Sequence, residues 1–246
     1  MKKDIIILAA GVGSRLRPLT DLVPKCLVTV NGEAILERVL KQINAIRDVE
    51  KNIFIVTGYK AEVLAEFVGR LGIPVNYVPN VDFETTNNMY SLNLALKQCD
   101  PQADLVIINA DCFYDQQIVV NMLHAAGNFI AVDKGIFNAE SMKVRTDAEG
   151  RINAMAKSLT EAPGTFVSMD IYCLTKEFKR SLLQTTDEVI DGGDLNSWTE
   201  VALDLLSRSE HRMYPLDFTG KNWMEIDDHA DLRKAEEIFS VKLIED

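Results

Sequence analysis

The sequence predicts an α/β fold, a Rossmann-like three-layer sandwich with a mostly parallel, mixed sheet between two layers of helices. The chain of 246 residues is long enough for one large α/β domain. In its first half, apolar runs of strand length alternate with stretches whose apolar residues repeat at helical spacing. Strands and helices that alternate in this way form a parallel sheet with helices on both faces.

The elements of the first half follow from their residue patterns. A run of β-branched and leucine residues at 5–8 predicts a buried parallel strand, and NIFIVT predicts a second strand. Apolar residues at helical spacing predict the intervening helices. In chain order, we expect a strand at 5–8, a helix at 32–47, a strand at 52–57, a helix at 61–71, a strand at 74–78, a loop at 79–86, a helix at 87–98 and a strand at 103–109.

The second half is less regular, and its shorter apolar runs predict a mixed or antiparallel part of the sheet. Asp228 is a suitable N-cap for a last helix, with Asp231 in its first turn. The stretch 188–195 is read as a solvated loop, with a mobile cover as the alternative. The remaining predictions are strands at 129–133, 143–146, 151–155, 166–174, 212–216 and 223–226, and helices at 176–183 and 197–207.

Composition excludes several classes of protein. The net charge of −11 argues against a nucleic-acid partner, whose phosphates need a basic surface. No apolar run approaches the length that spans a bilayer, so no membrane partner is expected. The N-terminal apolar run is too short for a signal peptide, and the four cysteines show no metal-binding spacing. We therefore expect a cytoplasmic protein with reduced thiols.

The glycine turn after the first strand predicts an anion site. Gly11 and Gly13 allow positive φ and a close approach of backbone N–H groups to a phosphate. Arg15, Arg17 and Lys25 bring cations to the same turn, at the sheet edge where open α/β folds bind ligands. The segment lacks the third glycine of a dinucleotide fingerprint and contains no Walker A sequence. A polyphosphate site of another type is the remaining interpretation.

The segment Leu-x-Ala-Gly-x-Gly-x-Arg-Leu-x-Pro-x-Thr, followed by Pro-Lys, spans residues 8–25. It resembles the signature of the nucleotidyltransferases that make nucleotide-sugars and related CDP-activated compounds. The resemblance implies a GT-A-like nucleotidyltransferase fold with Mg²⁺ as cofactor. It also implies a single domain over residues 1–246, with 1–111 mainly binding the nucleotide and 112–246 mainly binding the acceptor.

The same resemblance assigns roles to individual residues. Arg15 and Lys25 would be catalytic, stabilising the charge of the transferred and leaving phosphates. Asp111 and Asp227 would hold the metal, although the family often has Asp-x-Asp where this chain has Asn109-Ala110-Asp111. Ordinary alternatives are a solvated strand end for Asp111 and a helix cap for Asp227. The nucleotide-binding residues would be Leu8, Ala9, Ala10, Gly11, Gly13, Arg15, Lys25, Thr86, Asn87 and Asp111.

A narrower resemblance lies in TTNNMYSL at residues 85–92. It is similar to cytidylyltransferases that act on phosphocholine and on 2-aminoethylphosphonate. Thr86, Asn87 and Ser91 would read the cytosine edge, with help from Gly58-Tyr59. The alternative is a polar helix N-terminus, because caps favour the same residue types.

The acceptor side is predicted with less detail. The segment Glu-Ser-Met-Lys-Val at 140–144 resembles an Ala-Met-Lys-Val segment of the same transferases. Lys143 would thus pair with the acceptor's phosphate or phosphonate, unless it is an ordinary strand lysine. Asp133, Asp170 and Glu200, with Tyr172 and Trp198, are the candidates for an ammonium group on the acceptor.

Taken together, the sequence predicts a Mg²⁺-dependent cytidylyltransferase. Its partners would be CTP and a small phosphorylated or phosphonate acceptor of the 2-aminoethylphosphonate or phosphocholine type. One alternative is a sugar-1-phosphate nucleotidyltransferase using UTP, dTTP or GTP. Another is a non-catalytic nucleotide-binding module, against which the joint presence of Arg15, Lys25, Asp111 and Asp227 argues. The sequence does not indicate an oligomeric state.

Overall fold

The computed structural model describes residues 1–209 and 211–240. The strands run β1 Lys2–Ala9, β2 Thr29–Val30, β3 Glu33–Ala34, β4 Glu50–Thr57, β5 Asn76–Pro79, β6 Asp104–Asn109, β7 Cys112–Tyr114, β8 Phe129–Asp133, β9 Lys143–Thr146, β10 Ile152–Met155, β11 Thr165–Leu174, β12 Tyr214–Asp217 and β13 Trp223–Glu225. The helices run α1 Ile35–Ala45, α2 Ala61–Leu71, α3 Asn88–Leu96, α4 Gln116–His124, α5 Lys176–Asp191, α6 Thr199–Ser207 and α7 His229–Ile238.

The central sheet is mixed, and its strand order is β10-β9-β11-β6-β1-β4-β5, with β8 attached to β11 and β12 attached to β8. Strands β6, β1, β4 and β5 are mutually parallel, whereas β11 runs antiparallel to β6. Successive residues of β1 face opposite sides: Ile5 packs in one apolar cluster and Ile6 in the other. The predicted mostly parallel sheet with two helical layers is confirmed.

One helix is longer than expected, and four elements beside the sheet were not predicted, namely strands β2, β3 and β7 and helix α4. Strand β7 has three residues and forms a separate two-stranded ladder with the distant β13, so no local pattern reveals it. Helix α4 follows it directly. Helix α5 continues to Asp191, where Gly192 and Gly193 end it. Much of the stretch interpreted as a loop at 188–195 is therefore helical.

The register of the strands brings distant segments to one edge of the sheet. Leu8 in β1 pairs with Asn109 in β6, so the glycine turn and Asp111 leave the sheet side by side. Glu225 in β13 pairs with Cys112 in β7, and the Ile226 amide donates to the Asp111 carbonyl at 2.9 Å. These pairings place residues 225–227 next to Asp111.

In the part of the chain that the structure describes, no helix combines the length and apolar character needed to cross a bilayer. All four cysteines are free thiols, and Cys26, Cys112 and Cys173 are buried. Burial raises the pKa of the Cys26 thiol to about 12, so this residue is a packed core thiol and not a nucleophile.

Candidate active site

A cavity of about 410 Å³ lies at the carboxyl ends of β1 and β6. This is the position at which open α/β sheets bind ligands. Ten of the predicted site residues line it: Leu8, Ala9, Ala10, Gly11, Arg15, Lys25, Thr86, Asn87, Asp111 and Asp227. Asp170 and Glu200, predicted for the acceptor, also line it. Segments far apart in sequence thus converge on one cavity.

Lys25 connects the glycine turn to both predicted metal ligands. Its Nζ lies 2.9 Å from Asp111 Oδ2 and 2.6 Å from Asp227 Oδ1. Burial alone would lower the pKa of Lys25, but the two carboxylates outweigh burial and raise that pKa. Arg15 approaches Asp227 from the other side, with 2.8 Å between Nη2 and Oδ2. The site therefore holds a charged lysine between two acids.

Asp227 is available to the site because its neighbour caps the helix. Asp228 accepts hydrogen bonds from the backbone N–H groups of Ala230 and Asp231, which makes it the N-cap of α7 as predicted. Burial would raise the pKa of Asp227, but Lys25 and Arg15 together lower it. The carboxylate of Asp227 thus remains ionised beside the cavity.

A third carboxylate completes an acidic cluster. One carboxylate oxygen each of Asp111, Glu225 and Asp227 lies within 4.8 Å of the others. Burial and the charges of Asp111 and Asp227 raise the pKa of Glu225 to about 7. Three carboxylates at this separation fit a hard divalent cation such as Mg²⁺, which prefers oxygen ligands. The donor set is therefore suited to the predicted cofactor.

The two glycines of the turn play different roles. Gly13 has a φ of +67°, and a Cβ on it would lie 2.7 Å from Lys25 Cβ. Only glycine fits there while Lys25 keeps its place. Gly11, by contrast, does not have the positive φ that was predicted. It lines the cavity, where a Cβ would meet nothing within 4 Å, whereas Gly13 supports Lys25 from outside it.

Opposite the turn, a polar loop is organised by Asn80. The Asn80 side chain is 2% exposed, and its Nδ2 donates to Thr86 Oγ1 at 3.0 Å and to Ser91 Oγ at 2.9 Å. Asn87 is the N-cap of α3, so the helix-cap interpretation and the cavity-lining position are both correct for this residue. Phe83 closes this end of the cavity against Gly58, where a Cβ would lie only 2.7 Å from Phe83 Cβ.

The far end of the cavity is acidic. Asp170 and Glu200 are 8% and 4% exposed, and the hydroxyl of Tyr172 lies 3.1 Å from Asp170 Oδ1 and 2.5 Å from Glu200 Oε1. Burial and the neighbouring carboxylates raise the pKa of Asp170. Burial also raises the pKa of Glu200, although the hydrogen bond from Tyr172 acts in the opposite direction.

Two residues predicted for the acceptor are structural instead. Lys143 is fully buried and does not line the cavity; its Nζ donates to the carbonyls of Asn138, Ala139 and Ser141 at 3.2, 2.9 and 2.8 Å. The prediction that Lys143 binds the acceptor phosphate is wrong, because its preceding loop folds over the ammonium and satisfies it.

Asp133 is the second correction. It is buried and outside the cavity lining, and its carboxylate accepts hydrogen bonds from the Gly135 amide at 2.7 Å and Trp223 Nε1 at 3.1 Å. It therefore fixes the turn after β8 to β13 and is not an acceptor ligand.

The sequence did not single out several other residues of the lining. Lys157 and Met142 line the cavity, and Glu225 belongs to the cluster of three carboxylates. Glu225 was visible as a charged residue within the apolar run WMEI, whereas Lys157 gave no comparable signal. The other unpredicted lining residues are Cys26, Asn80, Phe83, Asn88, Asn109 and Ala110.

A glycine turn, a lysine between two acids and a carboxylate cluster lie together at the carboxyl ends of the parallel strands, as expected for a nucleotidyltransferase. The comparison with protein families agrees: residues 5–136 match the family described as the MobA-like NTP transferase domain. The chain belongs to this family, and the predicted enzyme class is confirmed.

Similar proteins extend the comparison over the whole chain. A relative named CMP-5'-(3-aminopropyl)phosphonate synthase, from Streptomyces rubellomurinus, is 27% identical over 96% of the chain, which spans 38% of that relative's length. Other relatives matched along almost the whole chain are also about twice its length. Choline-phosphate cytidylyltransferase of Streptococcus pneumoniae is 26% identical over 95% of this chain and 97% of its own.

Among solved structures, CTP:phosphocholine cytidylyltransferase of Streptococcus pneumoniae superimposes with a TM-score of 0.82. It is 21% identical to the chain, and the match covers 97% of this chain and 99% of that one. This likeness confirms the fold.

Proposed function

We propose that the chain is a Mg²⁺-dependent cytidylyltransferase that transfers CMP from CTP to a small phosphorylated or phosphonate acceptor. The observation that carries the proposal is the bridge from Lys25 to Asp111 and Asp227, which joins the glycine turn to the acidic cluster. In the reaction, an acceptor oxygen attacks the α-phosphorus, a P–O–P anhydride forms, the bond to the β-phosphate breaks, and pyrophosphate leaves.

The acids and cations of the site divide this work. Asp111 and Asp227, with Glu225 beside them, would hold the Mg²⁺; when bound, the ion withdraws charge from the phosphate oxygens. Lys25 then gives up part of its contact with the acids, because the α-phosphate offers it an alternative anion. Arg15 is two-thirds exposed and reaches the β- and γ-phosphates from the rim. No covalent enzyme intermediate is required, since alignment and charge lower the barrier.

The polar loop supports the choice of CTP. Ser91 Oγ accepts from Asn80, so its own proton is available to a base. Asn87 uses its oxygen for the helix cap, and its Nδ2 donates to no residue of 1–209 or 211–240. Two donors thus face the cavity, and cytosine presents two neighbouring acceptors, its ring nitrogen and its carbonyl oxygen. Uracil and thymine carry a proton on that ring nitrogen, which would oppose a donor.

The remaining cation of the lining supports a phosphorylated acceptor. Lys157 lies at the acidic end, where its charge acts on Glu200 and Glu225. A phosphate or phosphonate bound in the cavity would find a counter-charge in Lys157. The relatives named for aminopropylphosphonate and choline phosphate support acceptors of this size.

The test is pyrophosphate release with Mg²⁺, crossing CTP, UTP, dTTP and GTP with 2-aminoethylphosphonate, phosphocholine and sugar-1-phosphates. We expect release with CTP and a small amino-alkyl acceptor, and loss of this activity in Lys25→Met but not in the surface control Lys234→Met. Release with UTP or dTTP and a sugar phosphate would refute the cytidylyl assignment. Binding of CTP without release in any combination would favour a non-catalytic module.

A further inference from the structure

The acidic end of the cavity is built around an interruption of β11. Residues 169–171 of β11 stand opposite the single residue Ala131 of β8, which is a β-bulge. Within the bulge, Asp170 has a φ of 55°, a left-handed conformation that aspartate adopts more readily than most residues. The bulge brings the Asp170 carboxyl into the cavity lining, so this carboxyl is placed by the backbone and not by a flexible side chain.

One oxygen of Asp170 is held, and the other is open. Oδ1 accepts from Ser168 Oγ at 3.1 Å and faces the Tyr172 hydroxyl at the same distance. Oδ2 takes no hydrogen bond from residues 1–209 and 211–240, and it is not one of their fully buried unpartnered atoms. Because Asp170 lines the cavity, Oδ2 is exposed to whatever the cavity contains.

Among the described residues, this carboxyl pair has no salt-bridge partner, and Lys157 acts on Glu200 only from beyond ion-pair distance. Throughout the described chain, no lysine or arginine forms an ion pair with Asp170 or Glu200, although both are buried. Tyr172 holds the two carboxyl groups side by side, with its hydroxyl shared between them. Burial disfavours the charged forms of both carboxyls, and a cationic ligand that donates hydrogen bonds to them would stabilise those charged forms. The arrangement therefore calls for a cation that also donates hydrogen bonds.

The aromatic faces of the cavity are not available to form a cage. Phe83 packs against Gly58 at the nucleotide end, and Tyr172 is fully buried. Trp198 lines the acidic end, but Lys157 Nζ lies over its ring, 4.9 Å from the centroid. Quaternary ammonium groups are recognised by several aromatic faces around the methyls. Within the described residues, the acidic end offers one such face, and a protein cation already occupies it.

We propose that the acceptor carries a primary ammonium group received by Asp170 and Glu200, and that this site selects against a trimethylammonium group. The inference rests on the proposed function, which it narrows. A primary ammonium has three N–H donors for the carboxyl oxygens, whereas a trimethylammonium has none and leaves those oxygens unpaired. Sites built on buried hydrogen bonds reject analogues that lack them by factors as large as about 10⁴.

The first experiment compares phosphoethanolamine with phosphocholine, which differ in the three methyl groups. We would measure kcat/KM by pyrophosphate release with CTP and Mg²⁺, including the N-methyl and N,N-dimethyl intermediates. We expect kcat/KM to fall with each methyl and by at least about 100-fold in total. Equal or better turnover of phosphocholine would overturn the inference but leave the cytidylyltransferase intact. Absence of turnover with every amine, alongside turnover of sugar phosphates, would overturn both.

A second measurement assigns the discrimination to these residues. Asp170→Asn keeps a residue that tolerates the left-handed backbone, and Glu200→Gln keeps the shape of the side chain. We expect each variant to lose at least about 10-fold in kcat/KM for phosphoethanolamine, mainly through KM, and to lose clearly less for ethyl phosphate, which has no ammonium group. The exposed Asp191→Asn is the control. An equal loss for both acceptors would show that the pair is structural and would overturn the assignment.

Discussion

The two ends of the cavity are built in opposite ways. At the proposed nucleotide end, the cations and the glycines come from one continuous stretch, 8–25, and Lys25 forms ion pairs with both Asp111 and Asp227. At the proposed acceptor end, Asp170 and Glu200 come from separate elements, share the hydroxyl of Tyr172 and form no ion pair within the described residues. At the first end, Lys25 pairs with acids of the protein itself. At the second end, the two carboxyls are open to a positively charged group of the ligand. Catalytic class thus resides in a local motif, whereas acceptor choice resides in tertiary packing.

The largest expected effect falls on the proposed nucleotide end. Replacing Asp111 with Asn removes a proposed metal ligand and one partner of Lys25, so kcat should fall by at least about 10³-fold. The exposed Asp21→Asn serves as the control, and initial rates of pyrophosphate release measure both. Retention of wild-type turnover in Asp111→Asn would mean that the acidic cluster does not hold the catalytic metal.

Lys143→Met tests whether this residue belongs to the acceptor end or to the fold. Three carbonyls lose their donor, so the free energy of unfolding should fall by about 2–4 kcal/mol in urea denaturation. The matched surface variant Lys134→Met should change it by less than about 0.5 kcal/mol. A selective rise in acceptor KM with unchanged stability would restore the phosphate-binding role.

Lys157→Met removes the cation of the acceptor end. We expect the acceptor KM to rise about 10- to 100-fold while the KM for CTP changes little, because the lost charge faces the acceptor phosphate. Steady-state kinetics with each substrate varied in turn separate the two constants. An equal rise in both would place Lys157 on the nucleotide.

The two glycines of the turn give a matched pair. Gly13→Ala forces a left-handed backbone on alanine and drives its Cβ into Lys25, so it should cost about 1–3 kcal/mol of unfolding free energy. Gly11→Ala should leave stability unchanged and raise the KM for CTP, since its methyl enters the cavity. Urea denaturation and steady-state kinetics on both variants measure these two effects. Equal stability and equal KM for CTP in the two variants would show that the backbone of the turn accommodates a side chain at either position.

The smallest effect is the pH dependence of stability at the acceptor end. Burial raises the pKa of Asp170, so the folded chain binds this proton more tightly than the unfolded chain. The contribution of this proton to the free energy of unfolding is fully present below the ordinary carboxyl pKa. It is lost as the pH rises through the raised pKa of Asp170 in the folded chain. The Tm of Asp170→Asn relative to wild type should therefore increase from pH 5 to pH 8. A constant difference would show that Asp170 titrates normally.

The same contrast explains what could be predicted from sequence. The parallel strands, the glycine turn, Lys25, Asp111 and Asp227 follow from local patterns or from a contiguous resemblance. Strand β7 and residue Glu225 depend on a long-range pairing with no local signature. Lys143 and Asp133 were misassigned because side-chain type does not reveal which backbone groups a neighbouring loop will supply. Asp170 lines the cavity, but the bulge that directs it there could not be predicted.

The proposed cytidylyl transfer is tested most directly by ³¹P NMR of the wild-type protein with CTP, Mg²⁺ and 2-aminoethylphosphonate. If the chain transfers CMP to the acceptor, the CTP signals disappear, and signals of pyrophosphate and of a new P–O–P anhydride joining CMP to the phosphonate appear. Unchanged CTP, or its hydrolysis to CMP without a new anhydride, would contradict the proposed transfer.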